Sequence, residues 1–131
     1  MKTFKLLSNE EEFIGKAVVE SAFEVHKALG PGLLEKVYEV CFSYELRQRG
    51  FNVQRQKSIP ITYKGILFDE GLRLDVLINE KVICELKAVE GENSFWQAQI
   101  ISHLKLTNLR LGYLVNFNVH LIKDGIKRFI N

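Results

Sequence analysis

The sequence predicts an α/β (α+β) fold in which a central mixed β-sheet is flanked by helices. Apolar residues recur at three-and-four spacing in two segments before Gly50 and in one after residue 93, which indicates helices. Between and after these segments the period falls to two, which indicates strands. The predicted order is two helices, four strands, a helix, a strand and a C-terminal β-ribbon.

The chain length is that of one domain. The 131 residues are 47% hydrophobic and 26% charged, the balance of an ordinary globular chain. We therefore expect residues 1–131 to form a single domain around one core.

Two amphipathic helices come first. Ser8 and Glu11 match a capping box, which predicts that a helix begins there and covers residues 9–29. The sequence "GPG" at 30–32 ends it, because glycine suits a helix C-terminus and proline cannot continue the hydrogen-bond ladder. A second helix is predicted over residues 33–49.

Strands follow Gly50. Residues 51–54 and 59–63 alternate between apolar and polar side chains, and "YKG" predicts a turn after them. The runs 72–78 and 82–86 are apolar at both parities, so both faces of this part of the sheet should be covered.

The last third of the chain begins with a helix. Residues 94–107 carry a helical stripe, with Asn93 or Ser94 as the N-cap. Residues 110–117, "RLGYLVNF", predict a buried strand. The tail "VHLIKDGIKRFIN" predicts a small hairpin around "KDG".

Composition limits the classes of function. Cys41 and Cys84 lie in apolar settings without a C-x-x-C spacing, so we expect buried reduced thiols and no zinc site. No run of about eighteen apolar residues exists, so no membrane span is expected. The N-terminus "MKTFKLLSNEEEF" lacks the pattern of a secretory signal, and a cytoplasmic location is the default expectation. The net charge of +2 neither requires nor excludes a nucleic-acid partner.

In the stretch "RLDVLINEKVICELKAVE" at 73–90, the charged residues Asp75, Glu85 and Lys87 stand among Leu, Val and Ile. A three-residue loop at 79–81 would place Asp75 opposite Glu85, and Arg73 opposite Lys87, on one face of a hairpin. A two-residue loop would scatter these charges, so we favour the longer one. The other face would then carry apolar or cysteine pairs only: Ile78 with Val82, Val76 with Cys84, and Leu74 with Leu86.

Two facing carboxylates repel each other unless a cation lies between them. Mg²⁺ suits such a pair, because it binds one or two carboxylates together with water and phosphate oxygens. Lys87 would emerge on the same face, where an ammonium group can stabilise charge on a phosphate. Spacing alone leaves an alternative open, an ion-paired network of Asp75 with Arg73 and Glu85 with Lys87 that performs no chemistry.

The stretch "GLRLDVLINEKVICELKAVE" resembles the D…E-x-K signature of the PD-(D/E)XK nuclease superfamily. The segments "LGPGLLEKVYEVCFSYELRQRGFNVQRQ", "YKG", "RLDVLI", "ICELKAVE", "AQIISHLK" and "LGYLVNF…LIKDGIKRFI" resemble the bacterial GxxExxxY protein family, which is assigned to that superfamily. The resemblance runs from about Phe13 to Phe129. It implies a restriction-endonuclease-like core.

The resemblance also implies roles for individual residues. Asp75 and Glu85 would be metal ligands, with the backbone carbonyl of Leu86 as a third, and Lys87 would be the catalytic lysine. Glu35 resembles the acidic residue that the first core helix of the superfamily often contributes, as an extra ligand or through a bound water. Its alternative is a first-turn glutamate favoured by the helix dipole.

A glutamine on the third helix also has a counterpart. Gln99 resembles the glutamine of the Q-x-x-x-Y motif in RecB-type nucleases, where it would help to orient the lysine or the phosphate. His103 stands where that motif has tyrosine, one helical turn further on. A packed or solvated histidine is the alternative for His103.

The resemblance implies hydrolysis of phosphodiester bonds in DNA or RNA with Mg²⁺ or Mn²⁺ as cofactor. A nuclease fold that only binds nucleic acid or a protein partner is the rival interpretation. Because a small domain contacts little nucleic acid, a homodimer or a partner protein would enlarge the contact. Four basic residues are candidates for phosphate contacts, each with a solvated surface charge as its alternative: Lys64, Arg73, Lys105 and Arg110.

Overall fold

The computed structural model describes residues 6–131. Residues 1–5, which form part of the segment predicted not to be a secretory signal, lie outside the described residues. The elements in chain order are α1 (Asn9–Leu29), α2 (Glu35–Gln48), β1 (Val53–Tyr63), β2 (Ile66–Ile78), β3 (Val82–Lys87), α3 (Ser94–Thr107), β4 (Leu111–Asn116), a 3₁₀ turn (Ile122–Gly125) and β5 (Ile126–Ile130).

The five strands form one mixed sheet in the order β1-β2-β3-β4-β5. All neighbours are antiparallel except β3 and β4, which are parallel because α3 carries the chain back across the sheet between them. Buried residues of α1 and α2 form the main core with one face of the sheet. Leu104 of α3 packs with Leu77 and Ile83 on the other face. The predicted mixed sheet flanked by helices is therefore confirmed.

Two details of the predicted order are wrong. Three strands precede α3 instead of four. The alternating segments 51–54 and 59–63 do not form separate strands, because β1 runs without a break from Val53 to Tyr63. Its register with β2 is irregular between Ile59 and Ile61. The C-terminal tail is not an isolated hairpin. Ile122 is buried in the main core, and β5 pairs with β4, whose edge would otherwise be unpaired.

Tyr38 fixes the corner between α1 and α2. Its hydroxyl donates a hydrogen bond to the Gly30 carbonyl (2.6 Å) and accepts one from the Leu33 amide (3.1 Å). Its ring stacks on Phe117 with 4.6 Å between the centroids. Gly30 has φ 69°, which favours glycine at this corner. The start of α2 is thereby held against the sheet.

We expect Tyr38→Phe to lower the free energy of unfolding by about 1–2 kcal/mol, because it leaves the Gly30 carbonyl and the Leu33 amide without their buried partner. Urea unfolding measures this. Tyr44→Phe is the matched control, since Tyr44 lies on the same helix and is 57% exposed. An equal loss in both variants would contradict the role given to the Tyr38 hydroxyl.

Both cysteines are free thiols, as predicted. Cys84 is fully buried, and burial raises the pKa of its thiol well above the ordinary value. Cys41 packs against the main core but is only half-buried, so the predicted burial is wrong for this thiol. Among residues 6–131, no helix combines the length and the apolar character that crossing a bilayer would require.

Candidate active site

The turn between β2 and β3 sets the register of the candidate site. Residues 79–81 form a three-residue turn, with Asn79 and Glu80 at φ 51° and 57°. The Asn79 side chain accepts a hydrogen bond from the Asn52 amide (2.8 Å), which fixes the turn to the start of β1. The predicted pairs Ile78 with Val82 and Val76 with Cys84 are present, and Leu77 pairs with Ile83 between them.

Beyond Val76 the two strands separate, and the prediction fails there. Asp75 does not complete a ladder pair with Glu85; its Oδ2 accepts a hydrogen bond from the Leu86 amide instead (2.8 Å). Arg73 pairs with Ser58 of β1 rather than with Lys87.

The apolar pair predicted beside this point is also wrong. Leu74 packs with Leu77, Ile83 and Leu104 on the α3 side of the sheet, whereas Leu86 lies in the main core on the other side.

A backbone irregularity in β1 lies opposite the point where β2 and β3 separate. Gln56 of β1 lies between the pairs that Arg55 and Lys57 make with β2, and its φ is 50°, which interrupts the regular alternation of side chains.

Glu85 is buried beside a histidine. His103 of α3 is also buried, and its Nδ1 lies 3.0 Å from Glu85 Oε1. Burial raises the pKa of Glu85 to about 7; the hydrogen bond to His103 opposes this, and the negative charge of Asp75 adds to it. His103, for which the sequence left a merely packed or solvated residue open, therefore contacts a predicted metal ligand.

Asp75 and Glu85 converge. The negative charge of Asp75 contributes to the raised pKa of Glu85, so the two carboxyl groups lie close enough to repel each other. Within the described part of the chain, no ion pair joins Asp75 to Arg73 or Glu85 to Lys87. The alternative of an ion-paired network made by those residues is wrong.

Glu35 and Lys87 belong to the same cluster. Glu35 is the first residue of α2, and burial, Asp75 and Glu39 raise the pKa of its carboxyl group, whereas Lys87 lowers it. Lys87 ends β3, is half-buried, and its Nζ lies 5.6 Å from the centre of the Trp96 ring. The fold thus brings Glu35 within electrostatic reach of Asp75 and Lys87, and Asp75 within reach of Glu85.

Glu39 was not predicted as part of the site. It is buried one turn after Glu35, and its carboxylate accepts hydrogen bonds from Arg55 Nε (3.2 Å) and Gln56 Nε2 (3.0 and 3.2 Å). These bonds tie α2 to β1, and they hold Glu35 at the site. The signal in the sequence was the i, i+4 spacing of the two glutamates on one helix face.

The remaining predicted residues are spread more widely. Gln99 is half-buried, one turn before His103 on α3. Arg73 lies on β2 two residues from Asp75 and is exposed.

Three basic residues lie away from Lys87. Lys64 is at the tip of the β1–β2 hairpin, about 30 Å along the strand from Asp75. Lys105 is exposed near the end of α3, and Arg110 precedes β4 and donates a hydrogen bond to the Leu6 carbonyl (2.8 Å). Both lie toward the starts of β3 and β4, whereas Lys87 is at the opposite end of β3.

Comparison with known protein families identifies the fold. The family model described as the PD-(D/E)XK nuclease superfamily matches residues 12–129. The chain belongs to the PD-(D/E)XK nuclease superfamily. No curated protein and no solved structure matches it significantly. The mixed sheet with helices on both faces agrees with the restriction-endonuclease-like core of this superfamily.

Members of the PD-(D/E)XK superfamily generally use divalent metal ions, and the donors present here suit one. Asp75 and Glu85 offer carboxylate oxygens, the donors that Mg²⁺ and Mn²⁺ favour. One oxygen of Asp75 accepts a hydrogen bond from the Leu86 amide, and one oxygen of Glu85 is hydrogen-bonded to His103. The second oxygen of each carboxylate is the one that a cation could reach. Their mutual repulsion, seen in the raised pKa of Glu85, would be relieved by positive charge.

The number of side-chain ligands is small. Within residues 6–131 there is no cluster of three or more His, Cys, Asp or Glu side chains arranged to hold a metal ion. Mg²⁺ needs no such cluster, because it commonly binds one or two carboxylates and completes its shell with water and substrate phosphate. The carboxylates of Asp75 and Glu85 therefore have the chemistry that a hard divalent ion prefers.

Glu85 should make the stability of this PD-(D/E)XK protein depend on pH. Its pKa is about 7 in the folded chain and near 4.5 in an unfolded one, so the folded state holds the proton more tightly. The associated stability is fully present below pH 4.5 and is lost as the pH rises toward 7. The loss amounts to about 3 kcal/mol from this shift alone.

Urea unfolding in chelator at pH 5 and pH 7.5 measures this dependence. Glu85→Gln should remove most of it, because a neutral amide takes the place of the titrating carboxyl group. Glu90→Gln is the control, since Glu90 is exposed just beyond β3. An unchanged pH dependence in Glu85→Gln would contradict the assignment to Glu85.

Proposed function

We propose that this protein is a nuclease of the GxxExxxY family that hydrolyses phosphodiester bonds in DNA or RNA with Mg²⁺ or Mn²⁺. The observation that carries the proposal is the cluster of Asp75, Glu85 and Lys87 at the end of the β2–β3 hairpin. Two carboxylates and one ammonium group in a partly buried corner form the arrangement that phosphate chemistry requires. Membership of the nuclease superfamily gives this cluster a matching chemistry.

The carboxylates of Asp75 and Glu85 would hold the divalent ion, together with the Leu86 carbonyl. A divalent ion bound there would supply positive charge that polarises the phosphate and lowers the pKa of water. Asp75 is well held for this purpose, because the Leu86 amide fixes one of its oxygens. His103 does the same for Glu85.

Lys87 acts on the phosphate. Its ammonium group lies at the end of β3, beside Trp96 and within electrostatic reach of Glu35. There it donates to a non-bridging oxygen as negative charge develops during attack of water on phosphorus. The attacking water releases one proton to solvent as its oxygen bonds to phosphorus, the bond from phosphorus to the 3′ oxygen breaks, and that oxygen leaves with a proton from solvent.

Glu35 and Gln99 assist from the two helices. Glu35 would reach the ion directly or through water; burial raises the pKa of its carboxyl group, and the negative charge of Asp75 adds to this. Gln99 orients the lysine or the phosphate from α3. Among the basic residues, Arg73 lies nearest to Asp75 along the chain and is the first candidate for a further phosphate contact; Lys64, Lys105 and Arg110 would contact a longer substrate.

The proposal is tested by incubating the purified protein with single- and double-stranded DNA and RNA. Parallel reactions contain Mg²⁺, Mn²⁺ or chelator. We expect cleavage of at least one substrate with either ion and none with chelator. Cleavage that survives chelator would overturn the proposal, and binding without cleavage under any condition would indicate a nucleic-acid-binding module instead.

A further inference from the structure

A small cavity lies beside the candidate active site on the same face of the sheet. In the parallel ladder of β3 and β4, Glu85 pairs with Leu114 and Lys87 pairs with Asn116. Residues level with each other in adjacent strands project to the same face, so Leu114 and Asn116 continue the surface that carries Glu85 and Lys87. Both line a cavity of about 130 Å³.

Trp96 connects the cavity to the catalytic lysine. Its ring contacts the ammonium group of Lys87, with 5.6 Å between Nζ and the ring centre, and its side chain also lines the cavity. The Trp96 ring would therefore lie between a group bound in the cavity and the phosphate on which Lys87 acts.

The walls of the cavity are held by the fold. Asn116 donates hydrogen bonds to the carbonyls of Val89 (2.8 Å) and Gly91 (3.4 Å), and its side-chain oxygen accepts one from the Asn118 amide (3.0 Å). Gly125 is buried against the Asn116 carbonyl, where a Cβ would clash. The cavity is thus shaped by close backbone packing.

The size of the cavity argues against a whole cofactor as its ligand, and its charges argue against a phosphate. A volume of about 130 Å³ is below the range of a whole cofactor site, which is roughly 300–1,000 Å³, and suits a single flat ring system. Glu92 and Asp124 line the cavity with Lys127, and Lys127 is already paired with Glu92 at 3.0 Å. Two carboxylates against one ammonium group disfavour a phosphate inside.

We propose that this cavity accepts one nucleobase adjacent to the cleaved phosphodiester bond and that the protein therefore acts on single-stranded nucleic acid. The inference rests on the proposed nuclease function. A base in a duplex is stacked and paired, so it could enter only after extrusion, whereas a single strand offers its bases directly. The indole of Trp96 provides the aromatic contact, and the phosphate beside the base remains at Lys87.

Trp96 is the only tryptophan of the chain, so its fluorescence reports on this site alone. The wild-type protein in chelator is titrated with a short single-stranded oligothymidylate, with the same oligonucleotide lacking bases, and with a duplex. We expect saturable quenching by the oligothymidylate and an affinity about tenfold weaker for the other two. Equal responses to the abasic strand, or no response to any, would overturn the proposal.

A pair of variants tests the contact by a second measurement. Trp96→Leu should weaken the binding of a labelled oligothymidylate by about tenfold in fluorescence anisotropy. Phe95→Leu is the matched control, because Phe95 is the preceding residue, is 67% exposed, and does not line the cavity. Wild-type affinity in Trp96→Leu, with circular dichroism unchanged, would contradict the proposal.

The outcome is separable from that of the nuclease proposal. Cleavage by the wild-type protein with an unresponsive Trp96 would reject the base site and leave the nuclease function standing. Base-dependent quenching in a protein that cleaves nothing would reject the nuclease function and leave the base site standing.

Discussion

Replacing Lys87 with alanine is expected to lower the rate of phosphodiester cleavage by about 100-fold or more, because the ammonium group stabilises charge that develops only as the phosphate is attacked. The expected effect on folding is small. Lys87 is half-buried at the end of β3, and the contact of its ammonium group with Trp96 contributes on the order of 1 kcal/mol. Single-turnover cleavage separates this loss of rate from a change in binding.

Lys81→Ala is the matched control for Lys87→Ala. Lys81 lies in the turn of the same hairpin, is exposed, and pairs at 3.8 Å with Glu10 on α1. We expect its cleavage rate to stay within about twofold of the wild type, since an exposed ion pair contributes little. A similar loss of rate in both variants would point to an unspecific effect of charge and away from a catalytic role for Lys87.

Asp75→Asn is expected to abolish cleavage while leaving the fold at least as stable as the wild type. The asparagine carbonyl can still accept the hydrogen bond from the Leu86 amide, so that contact is retained. The negative charge is lost, however, and with it the attraction for a divalent ion. Because Asp75 raises the pKa of both Glu35 and Glu85, its neutralisation also relieves repulsion in the cluster.

Cleavage rates and urea unfolding in chelator at pH 7.5 measure the two effects of Asp75→Asn. We expect a loss of at least about 100-fold in rate, and a free energy of unfolding that is unchanged or higher by up to about 1 kcal/mol. Asp69→Asn, an exposed position on the same strand, is the control. A strongly destabilised Asp75→Asn, or one with wild-type cleavage, would contradict the account of the cluster.

Local patterns predicted the helices and the central hairpin well. The capping box and apolar stripe placed α1 at Asn9–Leu29, and the N-cap Asn93 with its stripe placed α3 at Ser94–Thr107, as the structure has them. The three-residue turn followed from the requirement that each face of the hairpin be uniform. These features depend on neighbours close in sequence, and a pattern of side chains records them directly.

Features that depend on distant segments were not predictable in this way. The strands separate beyond Val76 where Gln56 adopts a left-handed backbone and bonds to Glu39 of another element, which no local pattern records. The contact between His103 and Glu85 joins α3 to β3 across eighteen positions of sequence. The tail was taken for a hairpin because strand periodicity does not reveal which partner a strand will pair with.

The candidate site was predicted in its composition and not in its geometry. Asp75, Glu85 and Lys87 were chosen because charges stood in an apolar run, and Glu35 entered through the family resemblance. The sequence could not show that Asp75 reaches the Leu86 amide with its side chain. It also could not show that Trp96 lies against Lys87, because this contact arises only when α3 packs on the sheet.

The assignment of Asp75 and Glu85 as ligands of a catalytic divalent ion is tested most directly by cleavage of a single-stranded oligonucleotide. One sample of wild-type protein receives Mg²⁺, then chelator, then Mg²⁺ in excess. Asp75→Asn is treated in the same way in parallel. We expect wild-type cleavage to stop on addition of chelator and to resume with Mg²⁺, and we expect Asp75→Asn to form no product at any stage. Cleavage by wild type in chelator, or Mg²⁺-dependent cleavage by Asp75→Asn at the wild-type rate, would contradict the assignment of this site.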